Sequence, residues 1–157
     1  WEDTAMGLKE TLKSDLTEAI RSRDELKAGT IRMLLAAIQV EEVAGKEART
    51  LKDDEIIKVL SREAKKRREA AEAFTQGGRA DKAELESKEG KVIASYLPEQ
   101  LSEEEIRKIV AEAIAESGAN SSAQMGLVMK IVQPRIAGKA DGGFVSGLAK
   151  EMLSKNS

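Results

Sequence analysis

The residues that could do chemistry in this chain are few, because the sequence contains neither cysteine nor histidine. The absence of cysteine excludes a disulfide, a thiolate zinc site and a cysteine nucleophile. The absence of histidine removes the most common general base and transition-metal ligand, so carboxylates, lysine, serine and tyrosine remain. No glycine-rich phosphate loop of the Walker type occurs either. The sequence therefore predicts no catalytic centre, no metal site and no cofactor.

An uneven distribution of charge in the last third of the chain creates a cationic surface. Residues 99–116 carry six acidic and two basic side chains, a net charge of −4, whereas residues 117–150 carry four basic and one acidic, a net charge of +3. Since glycine lets another backbone approach closely, glycines beside cations suit a phosphate backbone. The candidate residues are Lys130, Arg135, Lys139, Gly126 and Gly138. Taken alone, three net charges on one side of a small domain favour a solvated surface without a ligand.

Charged residues also interrupt the apolar stripes of the N-terminal helices. Arg67 takes an apolar position in the third helix, Glu89 does so in the fourth, and Glu41 or Glu42 ends the apolar face of the second. Such a side chain commonly lies at a frayed edge with its charged end in water. The alternative is an ion pair of Arg67 with Glu89, and with Glu41 or Glu42, because a buried guanidinium without a carboxylate is costly. That pair would fix the register between helices and would be structural.

Helical periodicity runs through nearly the whole sequence, and no stretch alternates as a strand does. We therefore predict an all-α fold. Pro98 disfavours helical angles at the residue before it and marks a domain boundary. The prediction is a four-helix N-terminal domain, residues 6–97, and a three-helix domain, residues 98–157. Residues 1–5 match no periodic pattern, and we expect them to be foreign to the fold, with Met6 as the natural start.

Capping and breaking residues predict where the helices lie. The first helix covers residues 8–23 with Ile20 in its apolar stripe, Gly29-Thr30 breaks and recaps the chain, and a capping signal at residues 50–53 opens a third helix that ends at Phe74. The fourth covers about residues 80–96 with Leu85 in its stripe. In the second domain, capping boxes at Ser102 and at Ser121–Gln124 open helices five and six, and Pro134 kinks or ends helix six. Asp141 caps helix seven, whose apolar positions are Phe144, Val145, Leu148 and Met152.

Four motifs carry a family resemblance that covers Met6 to about Leu153. Met125-Gly126-Leu127-Val128-Met129-Lys130 and Gly138-Lys139-Ala140-Asp141-Gly142 resemble the tail module of the GatB subunit of tRNA-dependent amidotransferases. Together with Ser61-Arg62-Glu63-x-Lys65-x-Arg67 and Tyr96-Leu97-Pro98-Glu99-Gln100-Leu101-Ser102, they make the chain similar to the YqeY family. The members of that family are small bacterial proteins that join a helical N-terminal domain to a GatB-like tail.

The resemblance implies a tRNA-binding module, associated by domain content with amide transfer from glutamine onto aminoacyl-tRNA, a carbon–nitrogen ligase reaction. The tail motif maps onto Gly126, Met129, Lys130, Gly138, Lys139, Ala140 and Asp141. GatB tails often have proline at position 142, which suits a first helical turn, whereas Gly142 makes this loop looser. Release of ammonia from glutamine needs a cysteine or a Ser-Ser-Lys arrangement, and Ser121-Ser122 has no such lysine partner. We therefore expect any ligase activity to need partners.

The expected function is that of a non-catalytic accessory protein that binds tRNA or another structured RNA weakly and in a salt-sensitive manner. Lys130, Arg135 and Lys139 would contact phosphates, and Asp141 would hold the loop. Tyr96 and Phe144 are assigned to the core, which leaves no aromatic set for base stacking. The alternative is a protein-interaction module that docks on an aminoacyl-tRNA synthetase or another translation component. Without a membrane-length apolar run or a heptad seam, we expect a cytoplasmic monomer with no membrane partner.

Overall fold

The computed structural model describes residues 7–156, and seven α-helices account for most of this part of the chain. The helices are α1 (Leu8–Arg21), α2 (Glu25–Glu42), α3 (Asp53–Gln76), α4 (Ala80–Ala94), α5 (Glu103–Ser117), α6 (Met125–Ile136) and α7 (Gly142–Asn156). A short 3-10 turn, Ser122–Gln124, precedes α6. No strand occurs among the described residues, so the all-α prediction is confirmed there. The predicted leader at residues 1–5 and the predicted start at Met6 lie outside them.

The chain divides into two compact units, with the boundary between Leu97 and Pro98. The first unit contains α1 to α4, and the second contains α5 to α7. That the two units are independent domains stays a prediction. Across residues 7–156, no helix combines the length and the apolar character that a bilayer crossing needs.

In the first unit, α3 packs along α4 and α1 packs along α2 around an aliphatic core. Leu12, Ile31, Leu34, Leu60 and Ile93 are fully buried in it. In α2, for example, Ile31, Leu34 and Ile38 are buried at spacings of three and four residues, which produces the apolar stripe that the sequence predicted. Tyr96 closes this core from the turn after α4, where its hydroxyl donates to the Asp15 carboxylate of α1. Burial and this acceptor raise the pKa of Tyr96 well above its usual value.

Two residues that the sequence assigned to stripes of this unit are about half exposed, Ile20 (51%) and Leu85 (49%). Ile20 lies in the last turn of α1, one residue and therefore about 100° away from the buried Ala19. In α4 the inward face contains Ala83 and Ile93. Leu85 lies about 120° from the midpoint between these two positions and therefore points outward.

The predicted break at Gly29-Thr30 is wrong, because α2 runs through both residues. The helix starts earlier, where the Asp24 carboxylate accepts a hydrogen bond from the Lys27 N–H at 3.1 Å. The Thr30 hydroxyl donates to the Leu26 carbonyl at 2.8 Å, so it is satisfied inside the helix and does not cap a new one. Gly29 is exposed, and an added Cβ would meet no atom within 4 Å. Its only unfavourable effect on α2 is therefore the low helix propensity of glycine.

The second unit has its own core, built from α5, α6 and α7. The predicted capping box of α5 is confirmed: the Ser102 hydroxyl accepts from the Glu105 N–H at 3.1 Å, and the Glu105 carboxylate accepts from the Ser102 N–H at 2.9 Å. These hydrogen bonds lower the pKa of Glu105. The helix ends at Gly118, whose φ of 71° lies in the left-handed region that favours glycine.

Three details of α6 and α7 differ from the sequence prediction. No side chain caps the 3-10 turn at Ser122–Gln124, because the Gln124 side chain instead accepts from the Asn120 N–H at 2.8 Å. Pro134 lies inside α6, which continues to Ile136, so of the two predicted alternatives, a kink or an end, the end at Pro134 is wrong. Phe144 is 46% exposed, since Val145, Ala149 and Leu153 form the buried stripe of α7 and Phe144 lies beside it.

Candidate nucleic-acid interface

The loop between α6 and α7, residues 137–141, is held by main-chain hydrogen bonds on both sides of Lys139. The Lys139 N–H donates to the Ile136 carbonyl at 2.7 Å, and the Lys139 carbonyl accepts from the Leu101 N–H at 2.9 Å. Gly138 before it has a φ of 73°, which favours glycine. The backbone of Lys139 is therefore fixed while its side chain remains exposed.

Gln100 is a loop residue for which the sequence predicted no role. Its side-chain amide donates to the Gly138 carbonyl at 2.9 Å and to the Pro98 carbonyl at 2.8 Å. It thus joins the segment before α5 to the loop before α7. The available signal was its place in the motif at residues 96–102, in which the prediction gave roles to Tyr96, Pro98 and Ser102 and none to Gln100.

Asp141 forms the N-terminal cap of α7. Its carboxylate accepts from the Gly143 N–H at 3.2 Å, and its main-chain carbonyl accepts from the Val145 N–H at 3.0 Å. The carboxylate also stands at the positive end of the helix dipole. The Asp141 carboxylate therefore already occupies the anion-binding end of α7. A phosphate would compete with it there, whereas it would meet no such competition at a lysine side chain.

Lys130 lies on the solvent face of α6. Val128 and Val132 are both buried, and each lies about 200° around the helix from Lys130, so the lysine points away from the core. Among residues 7–156, the ammonium groups of Lys130 and Lys139 form no hydrogen bond and no ion pair. Two cations of this unit are therefore available to an anionic partner.

Arg135 differs from the two lysines. One guanidinium nitrogen of Arg135 contacts both carboxylate oxygens of Glu116 on α5, at 2.9 and 3.0 Å. The sequence treated Arg135 as a cation left over for a partner, but the neighbouring helix carries an acid at the right place. Because an exposed pair contributes only about 0.2–1 kcal/mol, a phosphate can compete for Arg135 but gains less from it than from an unpaired lysine.

Gly126 lies on the same face of α6 as Lys130, four residues earlier and about 40° around the helix. An added Cβ at Gly126, or at Gly142 in the first turn of α7, would meet no atom within 4 Å. Packing within the protein therefore does not require glycine at either position. Both leave bare backbone where a partner can approach closely.

The sequence matches the family described as Yqey-like protein over residues 9–153. The chain belongs to this family. The resemblance drawn from the motifs is thus confirmed at the level of the YqeY family, whereas the relationship of its second unit to the GatB tail stays a prediction. The mapped residues Met129 and Ala140 are half-buried against the core of that unit.

Relatives of this YqeY-family chain occur among fungal proteins. It is 34% identical to altered inheritance of mitochondria protein 41, mitochondrial, of Clavispora lusitaniae over 149 residues. The matched region covers 93% of this chain and 85% of that protein. It is 32% identical over 89 residues to the protein of the same name from Candida glabrata, covering 57% of this chain and 49% of that protein. An uncharacterized protein of Schizosaccharomyces pombe is 30% identical over 95 residues, 60% of this chain and 76% of its own length. A bacterial source for this chain stays a prediction.

The motif at residues 61–67 contributes Glu63 and Arg67 to an ion-pair network that joins α3 to α4. The Arg67 guanidinium lies 3.5 Å from Glu63, 3.5 Å from Glu86 and 3.8 Å from Glu89. The sequence prediction named Glu89 and missed the other two, which stand at helical spacing from Arg67 and from Glu89. Burial raises the pKa of Glu89, the Glu86 charge raises it further, and Arg67 opposes both.

The predicted pairing of Arg67 with Glu41 or Glu42 is wrong. Glu41 contacts Arg62 at 3.5 Å, and Glu42 contacts Lys9 at 2.9 Å. The helical register explains the difference, since Arg62 and Arg67 are five residues apart on α3 and so point in directions about 140° apart. Arg62 reaches α2, and Arg67 reaches α4.

Proposed function

We propose that this chain is a non-catalytic accessory protein that binds tRNA or another structured RNA through its second unit. The observation that carries the proposal is Lys139, whose backbone is fixed by hydrogen bonds while its ammonium is exposed and unpaired within the described residues. Lys130 adds a second unpaired cation on α6. Preorganised cations lose little freedom when they meet phosphates, which favours binding.

The exposure of Phe144 supports the same proposal. The sequence placed Phe144 in the core, but the residue is 46% exposed in the first turn of α7, five residues after Lys139. An exposed aromatic ring can stack on an unpaired base. In this proposal Lys139 contacts the RNA backbone, and Phe144 contacts a base in a loop or at an end of the RNA.

Any carbon–nitrogen ligase activity would require other proteins in this proposal, because the chain contributes surface cations and not a nucleophile. The names of two of these relatives describe them as mitochondrial, whereas the sequence favoured a cytoplasmic protein. Either location suits the proposal, since both contain structured RNA. The second unit acts in it as a separate tail-like module.

Titration of the chain with unfractionated tRNA tests this function. We expect saturable binding at about 20 mM salt and a plot of log affinity against log salt with a slope of about −2, because two lysines release two counterions. Fluorescence anisotropy of end-labelled tRNA measures both. Absence of saturation at low salt, or an affinity that does not change with salt, would contradict the proposal.

The replacement Gly126→Ala is expected to have opposite effects on folding and on binding. Alanine should stabilise the chain by about 0.5 kcal/mol, because glycine has the larger conformational entropy when unfolded. The same methyl group should weaken tRNA binding about threefold by standing where the phosphate backbone approaches. Urea denaturation and anisotropy measure the two effects on one sample.

Gly29→Ala is the matched control, since Gly29 is also a helical glycine with no atom within 4 Å of an added Cβ. It lies in the first unit, so the replacement should stabilise the chain and leave tRNA binding unchanged. Equal binding by the two alanine variants would mean that RNA does not approach Gly126.

A protein-interaction module is the second candidate, and the exposure of Leu127 (51%) and Phe144 (46%) favours it. Large apolar side chains on the surface are typical of contacts with other proteins. An aminoacyl-tRNA synthetase or another translation component would be the partner. A complex that survives nuclease and about 0.5 M salt would favour this function, because apolar burial tolerates salt that screens phosphate contacts.

A further inference from the structure

A cleft of about 500 Å³ opens on the first unit, and none of its lining residues is among those used above for RNA binding. Lys9 and Lys13 of α1, one helical turn apart, line one side of it. The C-terminal part of α2 and the loop that follows it, residues 43–52, supply the rest of the lining. This volume lies within the range of about 300–1,000 Å³ that small-molecule sites occupy.

The loop wall of the cleft is fixed by Glu42. The Glu42 main-chain carbonyl accepts from the Arg49 N–H at 2.9 Å, and its carboxylate accepts from the Leu51 N–H at 3.2 Å. The same carboxylate binds the Lys9 ammonium at 2.9 and 3.0 Å. Lys9 and the Leu51 N–H lower the pKa of Glu42, so it remains ionised near pH 7. Among the described residues that line the cleft, the single acidic one is therefore already paired.

The charge that remains around the cleft is positive. Lys13 makes no ion pair with any residue in the described part of the chain. Arg49 contacts Glu55 at 2.7 Å, but the Arg49 side chain is 53% exposed, and such a pair exchanges readily for another anion. Lys9, Lys13 and Arg49 against Glu42 leave a net charge of +2 on the lining.

The cleft also presents neutral polar and apolar groups. Within residues 7–156, the side chains of Gln39 and Thr50 have no hydrogen-bond partner, and both are exposed at the cleft. Leu35, Val43 and Ala48 supply apolar surface beside them. An anion with a small apolar part would satisfy the cations, the free donors and the apolar lining together.

We propose that this cleft binds a small organic phosphate, with its phosphate between Lys13 and Arg49 and its apolar part against Leu35 and Val43. A phosphate monoester carries close to two negative charges near pH 7, which matches the net charge of the lining. Lys9 remains with Glu42 and keeps the loop wall in place. The ligand thus meets a preformed site on the first unit.

Phenyl phosphate is a suitable probe, used with the full-length ¹⁵N-labelled chain in two-dimensional NMR at low salt. We expect saturable amide shifts confined to residues 35–50 and to the first turns of α1. Inorganic phosphate lacks the apolar part and should bind about tenfold more weakly, while phenol lacks the charge and should not produce these shifts. Lys13→Ala should weaken phenyl phosphate at least fivefold, since Lys13 makes no internal ion pair to lose.

Lys58→Ala is the matched control, because Lys58 is an exposed lysine of α3 outside the cleft. It should leave the affinity for phenyl phosphate unchanged. Equal loss in the Lys58→Ala and Lys13→Ala variants would overturn the proposal in favour of non-specific attraction. Shifts that scatter over the surface, or that a short RNA produces here while phenyl phosphate does not, would overturn it as well.

Discussion

Replacement of Arg67 with methionine is expected to lower the free energy of unfolding of this chain by about 3 kcal/mol, measured by urea denaturation. Methionine keeps a long, unbranched side chain and the helix propensity of α3. The loss therefore reports on the guanidinium and not on a cavity or on the helix itself. It is the largest effect on stability that we expect from any single replacement in the ion-pair network.

The physical reason is that one guanidinium faces three carboxylates, Glu63, Glu86 and Glu89. The side chain of Glu63 is only 7% exposed, and that of Arg67 only 20%. Without Arg67, these carboxylates face one another with little water to screen them, and Lys66 alone remains on Glu63. Leaving partly buried charges without a partner costs far more than breaking a surface pair.

Arg32→Met is the matched control for this prediction. Arg32 is an exposed arginine in the middle of α2, with no ion pair among the described residues. Its replacement should change the free energy of unfolding by no more than about 0.5 kcal/mol. If the two methionine variants are equally stable, the network contributes nothing beyond a surface ion pair.

The pH dependence separates the network from packing. The pKa of Glu89 is raised in the folded chain, so its contribution to stability is present below its unfolded pKa and is lost as pH rises through the folded value. Near pH 7 the ionised Glu89 is therefore a cost, and Glu89→Gln should leave stability unchanged or raise it. By the same argument, the defect of Arg67→Met should shrink when pH falls from about 7 to about 4.5, where carboxylates take up protons. A defect that is constant over this range would indicate lost packing.

The sequence predicted two of the four members of this network. Arg67 and Glu89 could be recognised because each interrupts an apolar stripe, and a charge in a stripe requires a partner. Glu63 and Glu86 gave no such signal, since an acid three or four residues from another charged residue is equally typical of a solvated helix face. Their burial depends on how α3 and α4 pack against each other. The periodicity of a single helix does not predict that packing.

In the second unit too, the sequence predicted interactions within one helical turn but not contacts between distant parts of the chain. The capping box of Ser102 could be predicted because it involves neighbours within one turn. The pairing of Arg135 with Glu116 and the contact of Gln100 with the Gly138 carbonyl join residues 19 and 38 positions apart. Phe144 was misplaced because a helix with several adjacent apolar residues can bury either of two faces, and the tertiary contacts of α7 decide which. Lys130 and Lys139, which the sequence assigned to a partner, are exposed in the structure, and nothing in the pattern of α6 buries Lys130.

Charge reversal at Lys130 and Lys139 together is expected to weaken tRNA binding about 100-fold at low salt and to bring the salt dependence close to zero. The two replacements, Lys130→Glu and Lys139→Glu, remove two phosphate contacts and add two repulsions. Because neither ammonium has a partner within the described residues, the folded structure loses no ion pair, and urea denaturation should give a nearly unchanged free energy of unfolding.

Two further variants determine what such a loss means. Lys58→Glu with Lys91→Glu makes the same change of net charge on exposed lysines of the first unit, and tRNA should still bind to that variant within about twofold, since neither lysine contacts a phosphate in the proposal. Gln100→Ala leaves every charge in place but removes the donor to the Gly138 carbonyl, and it should weaken binding about fivefold by loosening the loop that carries Lys139. Equal affinities of the wild-type chain and the Lys130→Glu, Lys139→Glu variant would remove the second unit as the RNA-binding surface. If the Lys130→Glu, Lys139→Glu variant loses affinity for tRNA and Gln100→Ala does not, RNA recognises the charge of the lysines and does not depend on the fixed loop.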